Sequence, residues 1–257
     1  AKALRKAGYC KKIVYYVLPQ VWAWKKKRVS VVESLVDELF CILPFESKFW
    51  NRATYVGNPL MDEIKHFKDS NVLKEHAKSF AFLPGSRRAE IRSLMDDYRQ
   101  VASELKGEKT LVVHPMYKEN IEELYGDVSM FTISCSTHDS LYKSDFAFIC
   151  SGTATLEAAI IAIPFVLVYK AKRFDYFIGR LFVKLPYIGL ANLIAYFDQK
   201  PPMHPELIQE MVTPKNILKA YDEIDLIKFS ERAVQLRKDL KSAGTSERCA
   251  KIIKGLV

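Results

Sequence analysis

Three features of the sequence predict an α/β fold made of parallel sheets wrapped by helices. Short β-branched and aromatic runs alternate with amphipathic helical stretches, which is the pattern of parallel strands joined by helical crossovers. The strand-to-helix junctions Pro84-Gly85-Ser86-Arg87 and Ser151-Gly152-Thr153 are built from small and hydroxyl residues, as the ligand-binding turns of open α/β sheets are. The chain has 257 residues, 49% hydrophobic and 27% charged, an ordinary globular balance sufficient for one large domain or two modest ones. These figures exclude disorder, collagen and small disulfide scaffolds.

Taken in order, a first system predicts strands over 13–17, 38–42 and 54–56, separated by helices over 24–35 and 46–51 and ending at Gly57-Asn58-Pro59. Three strands cannot make a doubly wound domain with both faces covered, so this region reads as the back half of one. The chain opens on Ala1 rather than Met, and further sequence is expected upstream. A polar helical stretch over 62–78 leads to a second system. Its predicted strands lie over 80–83, 110–113, 129–133, 146–150 and 165–168, alternating with helices over 89–105, 119–125, 138–142 and 153–162. From residue 214 onward the pattern is helical. The expected domains are residues 1–62, 63–224 and a helical tail over 225–257.

The net charge of +9 points to phosphates, nucleic acid or an anionic membrane as partner. Cys10, Cys41, Cys135, Cys150 and Cys249 are far apart and form no Cys-x-x-Cys pair, which reads as free thiols of a reducing compartment. No stretch approaches the roughly 20 apolar residues of a spanning helix. The basic, helical start over 1–12 lacks a leader's cleavage site, so a soluble or peripheral protein is expected.

The two junctions are where chemistry is expected. Free N–H groups at a helix start, beside a glycine with no Cβ, can surround phosphate oxygens while the helix dipole favours their charge. Arg87 or Arg88 can add a bidentate contact. The plainer alternative makes Ser86 and Thr153 ordinary N-caps. Glu157, one turn after Thr153, can accept hydrogen bonds from a ribose diol; a capping box would want a spacing of three. Tyr15 to Trp24 followed by Lys25-Lys26-Lys27-Arg28, and the aromatic and basic residues over 174–190 (Tyr176, Phe177, Phe182 and Tyr187 with Arg173, Arg180 and Lys184), suit a lipid-facing patch or a clasp for single-stranded nucleic acid. His66, His76, His114, His138 and His204 show no zinc-ligand spacing and read as structural. There is no Walker A or Gly-x-Ser-x-Gly sequence, and no metal or cofactor is predicted.

Ordered blocks along the chain resemble the lipid-A-disaccharide synthase family. They are the segments at 15–24, 41–46 (Cys-Ile-Leu-Pro-Phe-Glu), 55–60 and 83–91 (Leu-Pro-Gly-Ser-Arg-Arg-Ala-Glu-Ile), followed by 151–157, 186–193 and 205–209 (Pro-Glu-Leu-Ile-Gln). The resemblance implies a GT-B architecture of two Rossmann-like domains, the N-terminal one incomplete here. It implies an inverting, metal-independent transfer from UDP-2,3-diacylglucosamine to 2,3-diacylglucosamine 1-phosphate that releases UDP. It puts Ser86 and Arg87 at the diphosphate, with Ser151, Gly152 and Thr153 lining the same pocket. Glu157 is put on the ribose, and Asn192 on the UDP moiety or reacting sugar.

By the same resemblance the general base is an aspartate upstream of Ala1, so the chain as given is expected to bind UDP without turning over. The implied location is cytoplasmic, peripheral on the anionic inner face of the inner membrane, with no nucleic-acid partner and with a homodimer left open. Residues 195–204 depart from the family pattern by lacking its Gly-Arg-Glu loop. Two alternatives stand beside this reading, another UDP-sugar enzyme of the same fold such as a UDP-N-acetylglucosamine 2-epimerase, and a non-catalytic basic module that binds RNA.

Overall fold

The computed structural model describes residues 1–23, 28–68, 77–170 and 185–255, which fall into two units. One takes the chain up to residue 65 and again from residue 237; the other takes residues 66–170 and 186–236. In the first unit α1 (Lys2–Lys6), β1 (Val14–Tyr16), α2 (Arg28–Glu33), β2 (Glu38–Cys41), a 3₁₀ turn (Glu46–Phe49), β3 (Thr54–Tyr55) and α3 (Leu60–Glu63) follow one another. The sheet is parallel in the order β1-β2-β3, with Tyr15 opposite Leu39 and Phe40 opposite Thr54. Its central strand β2 is the most apolar because both of its faces are covered. Leu39, Phe40 and Cys41 are fully buried, and Leu39 and Cys41 share a cluster with Leu18, Val21, Val36 and Trp50. The helix expected over 62–78 is a single turn, α3, in the structure. Residues 64–68 carry no helix, and 69–76 lie outside the described residues.

The second unit runs β4 (Ser79–Leu83), α4 (Arg88–Glu104), β5 (Glu108–Val112), α5 (Ile121–Tyr125), β6 (Thr132–Ser134), α6 (Thr137–Lys143), β7 (Phe146–Cys150), α7 (Thr153–Ile161) and β8 (Phe165–Tyr169). It continues through α8 (Leu190–Phe197), β9 (Glu206–Ile208) and α9 (Pro214–Asp222) into α10 (Leu226–Asp239). All six strands are parallel in the order β6-β5-β4-β7-β8-β9, the doubly wound order in which the chain direction across the sheet reverses once.

Successive strand residues point to opposite faces. Phe80, Phe82, Phe146, Phe148, Val166 and Val168 therefore share one face, in a cluster with Ile91, Leu94 and Tyr98 of α4 and Ile217 of α9. Phe82 meets Phe148 at 5.0 Å and Tyr98 at 5.4 Å between ring centroids. The intervening residues Ala81, Ala147, Ile149, Phe165 and Leu167 are equally buried, and α6 and α7 pack on β4 and β7. Neither α8 nor β9 has a counterpart among the predicted elements. A three-residue strand carries too little alternation to be read from sequence.

Past residue 237 the chain belongs to the first unit, so the tail grouped as 225–257 on sequence grounds divides along α10. Its last helix, α11 (Thr245–Lys254), is held at its start by Asp62, which accepts the N–H groups of Gly244, Thr245 (3.1 Å) and Ser246 (3.0 Å) and the Ser246 hydroxyl (3.1 Å). Burial pushes the Asp62 pKa up, but these N–H donors outweigh it and hold the carboxyl below its ordinary value. Arg248 adds bonds to the carbonyls of Val56 (2.7 Å) and Ser242 (3.0 Å).

Two outcomes are expected. Phe148→Ala leaves a cavity among Phe80, Phe82, Phe146 and Tyr221 and lowers the unfolding free energy of the second unit by about 3–5 kcal/mol in urea titrations. The contribution of Asp62 is present in full above pH 3.8, its ordinary pKa, and is lost as the pH falls through its lower folded value. Asp62→Ala therefore destabilises the first unit at pH 7 and flattens its acid-unfolding curve.

Candidate functional site

β4 and β7 lie side by side at the centre of the six-stranded sheet, with Leu83 opposite Ile149. The turns that follow them therefore emerge together. From this point the sheet grows outward through β5 and β6 on one side and β8 and β9 on the other, which is where a doubly wound sheet opens a crevice. A cavity of about 520 Å³ occupies it. Gly85, Ser86 and Arg87 line it from one turn and Ser151, Gly152 and Thr153 from the other, with His114 and Pro115 after β5 and Cys135 and Thr137 around the start of α6.

Both glycines are required by geometry. Gly85 has φ +100°, and a Cβ there would stand 2.7 Å from Glu90 Oε2 and 3.2 Å from Cys150 Sγ. Gly152 has φ +158° and ψ −169°, a region essentially confined to glycine, although the space around it is open. Neither Ser86 nor Thr153 is an N-cap. The cap positions are Arg87 for α4 and Gly152 for α7, and α7 starts with no side-chain cap. Thr153 and Ala154, the first residues of the helix, line the cavity with the positive end of the helix dipole behind them.

The Arg87 guanidinium donates to Glu90 Oε1 at 2.8 Å, and its backbone N–H lies 3.4 Å from Oε2. The arginine side chain is 78% exposed, whereas that of Glu90 is only 10% exposed, so the guanidinium reaches solvent while the carboxylate beneath it depends on the pairing. An incoming anion can meet the exposed N–H groups of the guanidinium without breaking its bond to Glu90. Cys150, at the cavity floor, is no nucleophile. Burial first, and then the Glu90 charge, push its thiol up to about 12, which keeps it protonated at neutral pH.

Glu157 does not line the cavity. It sits one turn further along α7, largely buried, with Oε1 3.6 Å from His138 Nδ1 of α6. Asn192 does not line the cavity either. It is fully buried in α8, where its amide donates to the His204 carbonyl (2.9 Å) and Glu206 Oε1 (2.8 Å) and accepts the N–H groups of Met203 (2.7 Å) and His204 (3.2 Å). With donors and acceptor all engaged, it clamps α8 to the chain entering β9.

His114, read from sequence as structural, lines the cavity because the parallel pairing of β5 with β4 sets the ends of the two strands side by side. Among the described residues no group of three His, Cys, Asp or Glu could hold a metal ion, and no helix is long and apolar enough to cross a membrane. Of the aromatic and basic patches, residues 24–27 and 171–184 lie outside the described residues. Tyr15 and Tyr16 are exposed. Trp22, by contrast, is buried with its indole N–H on Glu46 at 3.2 Å, because an indole N–H withdrawn from water needs an acceptor.

The lipid-A-disaccharide synthetase family model matches residues 1–251. The chain is 48% identical over 259 residues to the lipid-A-disaccharide synthase of Campylobacter jejuni (strain RM1221), covering 98% of this chain and 71% of that protein. It is 44% identical over 256 residues to that of Helicobacter pylori (strain G27), covering 94% and 70%. Among solved structures it resembles MurG of Acinetobacter baumannii (TM-score 0.58, 14% identity, 98% of this chain and 69% of that one). It also resembles a glycotransferase of kitacinnamycin (TM-score 0.57, 14% identity, 99% and 72%). At these identities the structural likeness establishes the fold, that of GT-B glycosyltransferases.

One test addresses the cluster around Asn192. Burial lowers the His204 pKa to about 4 against a smaller upward pull from the Pro205 carbonyl. Its contribution to stability is therefore complete above pH 6.5 and drains away as the pH falls from 6.5 to 4, because only the unfolded chain takes up the proton in that window. The His204 ring signal in an NMR titration is expected to stay in its neutral position down to pH 5.

Proposed function

The chain belongs to the lipid-A-disaccharide synthase family, and from that premise we propose that its second unit binds UDP-2,3-diacylglucosamine. In this reading the diacylglucosaminyl group passes, with inversion, to the 6-hydroxyl of 2,3-diacylglucosamine 1-phosphate. The observation that carries the reading is the single cavity lined by both glycine turns and by the uncapped start of α7.

In that cavity Ser86 donates its hydroxyl to the diphosphate and Arg87, still bonded to Glu90, pairs with it through its remaining N–H groups, while the first N–H groups of α7 take the remaining oxygens. As the bond between the sugar and the diphosphate breaks, negative charge grows on the departing phosphate. A guanidinium and a helix dipole already aimed there stabilise that charge more than the ground state, which lowers the barrier. Ser151 and Thr153 add hydroxyl donors, and Gly152 lets the backbone approach. Glu157 accepts the ribose hydroxyls from one turn into α7. These residues act on the donor, and deprotonation of the acceptor hydroxyl is assigned to none of them.

Both substrates carry acyl chains, so the protein is proposed to work at the anionic inner face of the membrane. The net charge of +9 and the exposed Tyr15 and Tyr16 support that location.

Calorimetric titration with UDP tests the reading. Saturable binding is expected, weakened about tenfold or more by Arg87→Ala and by Glu157→Ala, as loss of a hydrogen bond to a charged group predicts. Asn192→Ala should lower thermal stability instead. A folded chain that shows no UDP binding overturns the proposal.

A further inference from the structure

His114 stands at the end of β5, next to β4 in the sheet, and lines the cavity on the flank away from Ser151-Gly152. Its ring is held on several sides. Its Nδ1 accepts the Met116 backbone N–H at 3.3 Å, and its own backbone N–H donates to the Tyr125 hydroxyl at 3.1 Å. Tyr117 packs obliquely against the imidazole, 5.8 Å between centroids, and the Arg88 guanidinium lies 5.6 Å from the Tyr117 ring centre. A backbone N–H can only donate, so Nδ1 is the unprotonated nitrogen and the neutral ring carries its proton on Nε2. Among the described residues Nε2 has no hydrogen-bond partner, although the ring is half-buried.

The part of the cavity around this donor differs from the part between the glycine turns. Val112, Val113 and Pro115 give it apolar walls, and Thr137 at the start of α6 closes it. If the diphosphate lies between β4 and β7 and the ribose reaches Glu157, which faces His138 of α6, the base is directed toward the ends of β5 and β6. An uncharged ring suits such walls, with a polar contact to set its orientation.

We propose that His114 is a specificity-determining residue that donates its Nε2–H to the O4 carbonyl oxygen of the uracil base, the one that cytosine replaces with an amine. The proposal rests on the donor-binding function given above. An exocyclic amine in the same place would set donor against donor and leave both unpaired.

The test compares UDP with CDP by calorimetry on the whole chain. The wild type is expected to prefer UDP about tenfold or more. His114→Asn keeps an acceptor for the Met116 N–H but removes the distal donor, and it should shrink the preference to about threefold or less, mainly by weakening UDP. His114→Gln restores an N–H near the Nε2 position and should recover most of the preference, which a merely structural role would not produce. Equal weakening of UDP and CDP in His114→Asn, or an unchanged preference in that variant, overturns the inference while leaving UDP binding and the proposed function intact. Absence of UDP binding by the wild type overturns both.

Discussion

Reversal of strand order between β4 and β7 is the constraint on which the site depends. Crossovers between parallel strands are right-handed, so helices on the two sides of the reversal cover opposite faces of the sheet. α4 joins the cluster on the phenylalanine face, and α7 packs with α6 on the other. The two turns consequently diverge as they leave adjacent strands, and nothing fills the gap between them. The central strands stay in place because their aromatic residues are buried against helices on one face and their aliphatic residues on the other. The cavity is thus a by-product of packing, and Gly85 and Gly152 keep its walls backbone-lined.

Charge in the cavity is arranged around one pair, a buried carboxylate and an exposed guanidinium. Its lining contains one carboxylate, Glu90, which bonds to Arg87, and its one deeply buried thiol is kept neutral. The arginine is tethered but exposed, so the protein holds it near the anion position without fixing it there. A net charge of +9 biases approach over a longer range, within the screening length of about 8 Å at physiological salt. The local donors at the start of α7 then select a phosphate from other anions.

Away from the cavity, buried carboxylates hold the irregular parts of the chain. Glu46 accepts the N–H groups of Ile42 (3.1 Å) and Leu43 (3.0 Å) as well as the Trp22 indole. Glu206 accepts those of Ile188 (2.8 Å) and Gly189 (3.1 Å) as well as the Asn192 amide. In both, burial raises the pKa against the opposing pull of these donors. The same logic gives Asp62 its place at the start of α11, with the opposite net shift because the group is less buried and accepts a fourth bond, from the Ser246 hydroxyl, beside its three N–H donors. The blocks at 41–46 and 205–209 thus contribute Glu46 and Glu206 as backbone anchors within this chain, a role that their position in an ordered motif set does not reveal.

The sequence alone determined the alternation of strands and helices, the two glycine turns, and the family, because each is written in residues that lie next to one another. Phe80, Phe82, Phe146 and Phe148 announce their shared face through a period of two, and Gly85 and Gly152 stand where a strand pattern changes to a helical one. Tertiary structure alone decided which residues share the cavity and which merely support it. Asn192 carries the same motif-level signal as Ser86, yet its four hydrogen-bond partners come from residues 203–206 and make it a clamp. His114 carries no signal and still reaches the cavity, since the parallel pairing of β5 with β4 sets the ends of the two strands beside each other. Proximity across a sheet is set by strand order, and strand order follows from how all the apolar faces are buried together, which no single segment encodes.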